Sequence, residues 1–187
     1  LSHRIHATTN GGLSRRSLFR DPEYAIRNTT MANKTLALYE RVRRWPAGQW
    51  LFTRAICFKA PYFGSISPRI ETLEPGRCVA TIRRHRAITN HIGSVHAIAM
   101  CNLAELTGGM VTEVSLPDSM RWIPKGMTVQ YLKKAMGTLR AVATPSIPVV
   151  HADQGYELPV DVVLTDAAGD AVFRATISMW MSPKPAR

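Results

Sequence analysis

The sequence predicts an α+β fold built on an antiparallel sheet, and three observations predict it. Helical and strand-like segments fall in blocks instead of alternating: helices first, then two strands, one apolar helix, then a run of strands. Short turn signals separate the strands, as antiparallel neighbours allow. With 187 residues, 45% hydrophobic and 20% charged, the chain can bury one sizeable core without disulfide scaffolding.

Taken in order, residues 1–30 hold Arg4, Arg15, Arg16, Arg20 and Arg27, many Ser and Thr, and no apolar run of a secretory signal. They are read as a basic extension outside the core. An over-extended upstream segment before Met31 and a basic organelle transit peptide both account for them. Residues 31–187 are expected to form a single domain with N-terminal helices over 32–60. Leu36, Tyr39 and Val42 recur every third residue and predict a helix over 32–44 that Pro46 stops. Trp50, Leu51, Phe52, Ile56 and Phe58 predict a second helix, ending at Pro61 and Gly64, with both helices packed on a larger body. The arginines between them read as a solvated edge, with a membrane-surface role for this basic amphipathic segment as the alternative.

From 65 onward the pattern turns to strands. Stretches 66–73 and 77–84 carry β-branched residues at alternating positions around the turn Glu74-Pro75-Gly76. Residues 95–109 are small and apolar with no alternation, predicting one buried helix of about four turns that Gly108-Gly109 ends. Strands then follow over 127–133, 138–144, 158–165 and 171–181, separated by Met136-Gly137, a long loop over 145–155 and a turn containing Gly169.

Charge narrows the function classes. Lys and Arg number 24 against 13 Asp and Glu, and the net +11 lies entirely in the first 100 residues, since 101–187 balance eight basic against eight acidic side chains. A basic front half suits an acidic partner: nucleic acid, anionic lipid, a polyphosphate cofactor or an acidic carrier protein. Aromatics do not interleave with the basic runs and no phosphate-binding glycine motif is present, so neither a nucleic-acid partner nor a nucleotide-binding fold is expected, and a nucleic-acid binder rests on charge alone. Cys57, Cys78 and Cys101 are odd in number and widely spaced, which excludes a C-x-x-C metal site and a paired secreted framework and leaves free thiols. His85, His91 and His96 lack a matched carboxylate pair, and no metal is expected. Arg54 and Lys59, then His96 and Glu105, interrupt the two most apolar stretches before the ~20 residues a membrane span needs. The expected location is the cytoplasm, or the mitochondrial matrix should residues 1–30 be a transit peptide.

The start of the central helix carries the chemistry. Asn90-His91-Ile92-Gly93-Ser94-Val95-His96-Ala97 places unpaired backbone N–H groups and the positive end of a helix dipole at one spot, which suits a developing oxyanion. An ordinary N-cap by Ser94 is the plain alternative. Glu105 lies deeper in the helix among Met100, Leu103, Ala104 and Leu106, where a carboxylate costs several kcal/mol unless partnered or protonated. A network with Cys101 and Asn102 would be a structural reason for it. Nine residues separate His96 from Glu105, roughly 900° of helix, which sets them on opposite sides. A site using both must join two subunits.

The pattern Asn90-x5-His96-Ala97-x7-Glu105, followed by Gly126-Met127-Thr128-Val129-Gln130-Tyr131-Leu132-Lys133-Lys134-Ala135-x-Gly137, resembles the hot-dog-fold acyl-CoA thioesterases of the phenylacetate-pathway type, closest to a bacterial branch of uncharacterised domains. The resemblance spans roughly residues 60–183. It implies a long helix wrapped by an antiparallel sheet, in dimers often paired into tetramers. It further implies hydrolysis of an acyl-CoA thioester to free acid and coenzyme A, with no cofactor beyond the coenzyme A of the substrate. Carried over by position, Asn90 and the backbone N–H around Ala97 hold the thioester carbonyl. Glu105 of the partner chain acts as general base on water or as nucleophile, and His96 shapes the helix entrance. Such chemistry needs donors at the oxyanion and a carboxylate in a dry pocket. Ala97 stands where the family commonly has Gly, Glu105 where Asp is commoner, and Ser119 and Thr128 are candidates for an assisting hydroxyl. Of the basic residues, Lys133, Lys134 and Arg121 are expected at the coenzyme A phosphates. An acyl carrier protein is the alternative carrier, and runs 41–44 and 83–86 are solvated faces or contacts for either. The alternative function is a non-catalytic module that binds acyl-CoA or acyl carrier protein.

Overall fold

The computed structural model describes residues 33–185. The expected extension over 1–30 lies outside them.

Helix α1, Lys34–Val42, starts at Asn33, whose side-chain oxygen accepts from the N–H groups of Thr35 and Leu36 at 3.0 and 3.2 Å. Helix α2, Gly48–Lys59, turns back on it so closely that a Cβ on Gly48 would sit 1.8 Å from the carbonyl oxygen of Val42. Tyr39 and Phe52, both buried, meet edge to face with ring centroids 5.1 Å apart. A single turn, α3 (Pro61–Gly64), then leads to strand β1, Arg69–Glu74.

These helices finish the edge of the sheet. Thr53 Oγ1 accepts from the Ile70 N–H at 3.0 Å, and the Glu71 carbonyl accepts from Tyr39 Oη at 2.8 Å and Gln49 Nε2 at 2.7 Å. Backbone groups that an edge strand would leave open are thereby satisfied by side chains. The arginines of the 41–44 run are exposed, as the solvated-edge reading has it.

Strand β2, Arg77–Arg83, pairs with β1 around Gly76, which adopts φ +80. A loop with one 3-10 turn over Arg86–Ile88 leads to the central helix α4, Ala97–Ser115. Strands β3 (Met120–Tyr131), β4 (Thr138–Pro145), β5 (Tyr156–Thr165) and β6 (Ala171–Pro183) complete an antiparallel sheet ordered β1-β2-β4-β5-β6-β3. Leu139 and Ala141 of β4, Val160 and Val162 of β5 and Ile177 and Met179 of β6 alternate inward onto Leu103, Leu106 and Val111 of α4. A sheet wrapped around one long helix is the arrangement the resemblance implies.

Two expectations are corrected. Gly108-Gly109 does not end the helix, because the pair is needed inside it. A Cβ on Gly108 would lie 2.6 Å from Ile177 Cδ1, and one on Gly109 would lie 3.1 Å from the Trp122 ring. The helix runs six residues further and stops at Leu116, extended ahead of Pro117. Strand β3 begins at Met120, seven residues before the expected 127, and passes through Pro124 with a register shift between Pro124 and Gly126. An edge strand tolerates the missing N–H, and most of its side chains overhang the core, so it lacks the alternation that marks the other strands.

Candidate active site

The loop before α4 is built by Asn90. Its side-chain oxygen accepts from the N–H groups of Ile92 at 3.2 Å and Ser94 at 3.0 Å, and its amide donates to Ser94 Oγ at 2.8 Å. Gly93 at φ +77 allows the tight return. Ser94 is spent in this turn, and His96 caps the helix instead, its Nδ1 accepting from the Ile98 N–H at 3.1 Å.

Counting donors around this entrance leaves one over. The Val95 N–H goes to the Ala135 carbonyl, that of His96 to Ile88, and those of Ala99 and Met100 to His96. With Ser94 and Ile98 also engaged, Ala97 is the residue of 94–100 whose N–H has no partner among the described residues. It sits half-buried at the positive end of a 19-residue helix.

Glu105 is not where the apolar neighbours suggested. It is exposed, on a narrow stripe of α4 that its own sheet leaves open and that repeats every four residues through Cys101, Glu105, Gly109 and Glu113. The buried residues around it in sequence point to the sheet, whereas Glu105 points away. Its carboxylate has no hydrogen bond or ion pair among the described residues, and the expected network does not form. Asn102 turns instead to the Tyr62 carbonyl and Ser65 Oγ, both at 3.3 Å, and Cys101 Sγ lies 3.3 Å from Tyr131 Oη.

Strand β3 brackets the stripe. Tyr131 meets Cys101 at one end, and at the other Trp122 lies over Gly109 and donates from Nε1 to Glu113 Oε2 at 2.9 Å. Met127 and Val129 are half-buried between them. The Cys101 thiol at its hydroxyl, followed by partial burial, pushes the Tyr131 phenol up to about 12. Tyr131 therefore joins the site; the sequence signal was its place in the motif after Gly126.

Other candidates fall elsewhere. Thr128 alternates with Met127 and Val129 and is exposed on the other side of β3. Ser119 Oγ lies 2.8 Å from His151 Nδ1, away from the stripe. Lys133 is paired with Asp170 at 2.5 Å and Asp166 at 3.5 Å, and the Asp170 hydrogen bond holds its ammonium above the usual range. Arg121, bonded to Ser182 Oγ at 3.2 Å, stands at the opposite end of β3, whose run from Arg121 to Tyr131 spans roughly 33 Å before Lys133 and Lys134. One chain does not bring these three to a single phosphate. Among the described residues no cluster of three His, Cys, Asp or Glu is placed to hold a metal ion, and no helix is long and apolar enough to cross a membrane.

The profile of a domain of unknown function (DUF4442) matches residues 48–181. The chain belongs to the DUF4442 family. This DUF4442 chain is similar to a structural-genomics crystal structure at 41% identity and TM-score 0.69, covering 83% of this chain and 100% of that one. It is also similar to a Pseudomonas aeruginosa protein of unknown function described as a probable thioesterase, at 26% identity and TM-score 0.58, covering 66% and 88% of the two chains. A Streptococcus mutans protein bound to acetyl-CoA shares the fold at 21% identity and TM-score 0.52, covering 63% of this chain and 90% of that one. Curated proteins yield no match. The DUF4442 fold is thus that of the hot-dog thioesterase superfamily, as its helix and sheet order show.

Proposed function

We propose that this chain hydrolyses an acyl-CoA thioester at a site completed by a second copy of itself. The observation that carries this reading is that the Ala97 N–H at the start of α4 and the Glu105 carboxylate eight residues further along the same helix both lack a partner among the described residues. In the proposed reaction the Ala97 N–H and the helix dipole hold the thioester oxygen. Glu105 of the partner subunit takes a proton from water as that water's oxygen attacks the carbonyl carbon. Negative charge moves onto the oxygen facing Ala97, then returns as the carbon–sulfur bond breaks, and the departing thiolate recovers the proton from Glu105. Covering by a second copy would dry the carboxylate's surroundings and raise its basicity. Asn90 acts as a positioning residue that shapes the turn before Ala97, and His96, whose Nδ1 is engaged in the cap, leaves Nε2 at the entrance.

Sheet edges support the second copy. The β1 edge is closed by α2, while β3 presents twelve residues of open edge with Ile123 61% exposed. The relative bound to acetyl-CoA supports an acyl-CoA ligand. A non-catalytic acyl-binding module is favoured by the Ala97 methyl group, which crowds the donor. Thiol release from short, medium, long and aryl acyl-CoAs, compared between wild type and Glu105→Gln, decides. Loss of about 100-fold or more in the variant supports catalysis by Glu105. Equal rates would sink that role, and binding without turnover would establish the module.

A further inference from the structure

On the outer face of the sheet, away from α4, an open cleft of about 560 Å³ lies between α2 and strands β1 and β2. The alternation of β2 sends Ala80 and Ile82 to the core and Thr81 and Arg83 to this outer side. Its volume falls in the range of small-molecule sites.

Three arginines line it from three separate elements: Arg54 of α2, Arg69 of β1 and Arg83 of β2. Arg54 and Arg83 have neither a carboxylate nor a hydrogen-bond partner among the described residues, and Arg69 donates to Gln49 Oε1 at 3.2 Å. Among the described residues one carboxylate lines the cleft, Glu71, and it is already engaged by the Thr81 hydroxyl at 3.0 Å and by Arg140 at 3.9 Å. The walls thus hold uncompensated positive charge. His85 also lines the cleft, and its Nε2 is buried with no hydrogen-bond partner. Trp50, more than half exposed, supplies a flat apolar wall beside Arg54.

Like charges gathered from distant parts of a sequence favour an anion among them, and guanidinium forks match phosphate oxygens geometrically. An indole beside them adds a surface on which a planar ring stacks. We infer that this cleft is a binding site for a nucleoside diphosphate or bisphosphate, with its phosphates on Arg54, Arg69 and Arg83 and its base against Trp50. The site is independent of thioester hydrolysis: Glu105 and the α4 stripe lie on the other side of the sheet.

Isothermal titration of the full chain with ADP, adenosine 3′,5′-bisphosphate, pyrophosphate and adenosine tests it. The bisphosphate or ADP should bind with micromolar affinity, and pyrophosphate and adenosine should each bind about tenfold more weakly or worse. Arg54→Ala and Arg83→Ala, both at exposed positions, should each weaken nucleotide binding by about tenfold. Trp50→Ala should remove the advantage of nucleotide over pyrophosphate. Arg174→Ala, elsewhere on the sheet, and Glu105→Gln should leave binding unchanged, which separates this site from the proposed hydrolytic one. Silence with every phosphate, equal affinity in the Arg54 and Arg83 variants, or binding to anionic lipid vesicles without binding to nucleotide would overturn it.

Discussion

The N–H of Ala97 and the carboxylate of Glu105, each without a partner among the described residues, lie eight residues apart on one helix, about 12 Å along its axis and 80° around it. No rotamer of Glu105 brings its oxygens to a water attacking a carbonyl held at Ala97 of the same chain. Neither group has a partner among the described residues, and the proposed reaction takes the complement of each from the other end of the same helix in a second copy.

Ala97 offers a way to delete the proposed oxyanion donor without breaking the fold. It is the first residue of α4, where proline is tolerated, and His96 at φ -64, ψ 140 already has the backbone that precedes proline. Ala97→Pro should keep stability within about 1 kcal/mol by chemical denaturation. Turnover of the best acyl-CoA should fall by about 100-fold or more. Ala97→Gly retains the N–H and removes the methyl group, and its rate should equal or exceed that of wild type. Full activity in the proline variant would remove Ala97 from the mechanism.

Sharing of the site between copies is checked by mixing. Ala97→Pro protomers still carry Glu105, and Glu105→Gln protomers still carry the Ala97 N–H. Refolded together in equal amounts, the two inactive variants should recover about a quarter of the wild-type rate, because half of the pairs are hybrids with one intact site of two. A mixture as inactive as its components would place both groups in separate roles.

Gly48 and Gly126 make a matched pair for stability. An added methyl group at Gly48 meets backbone, 1.8 Å from the Val42 oxygen, and neither α1 nor α2 can yield without losing the Tyr39–Phe52 contact. Gly48→Ala should cost about 2–4 kcal/mol in denaturant unfolding. Gly126 has nothing within 4 Å of the same added atom, and Gly126→Ala should change stability little.

Alkaline pH should act through Tyr131. Its phenol is pushed up to about 12 by Cys101 and partial burial, so the folded state favours the protonated form over the unfolded state, where the group titrates near 10. That contribution is fully present below pH 10 and is lost as pH rises toward 12. Tyr131→Phe should lower stability at pH 8 and flatten its decline above pH 10, and phenolate absorbance should lose its highest-titrating component. An unchanged alkaline limb would show that the Cys101 contact does not hold in solution.

Much of the fold was legible because it rests on local pattern. The helix over 32–44, the hairpin at Glu74-Pro75-Gly76 and strands β4, β5 and β6 follow from periodicity and turn chemistry, and the structure places each within a few residues of its expected bounds. What misled was context. Gly108-Gly109 resembles a helix stop, yet the pair serves the close approach of Ile177 and Trp122, residues more than a dozen positions away. The length of β3 was hidden because an edge strand needs no alternation.

The site divides in the same way. The residue order around Asn90, His96, Ala97 and Glu105 marks the entrance of a helix and a carboxylate within it, and the motif after Gly126 leads to Tyr131. That Glu105 faces outward, that Ala97 is the residue of 94–100 whose N–H has no partner among the described residues, and that Lys133 is tied to Asp166 and Asp170 are matters of which surfaces meet. The same holds for the gathering of Arg54, Arg69 and Arg83 around one cleft. Backbone preference and hydrophobic period act over a few residues and can be read along the chain. Exposure, donor satisfaction and charge convergence are set by packing between elements distant in sequence, and they exist only once the sheet has closed around the helix.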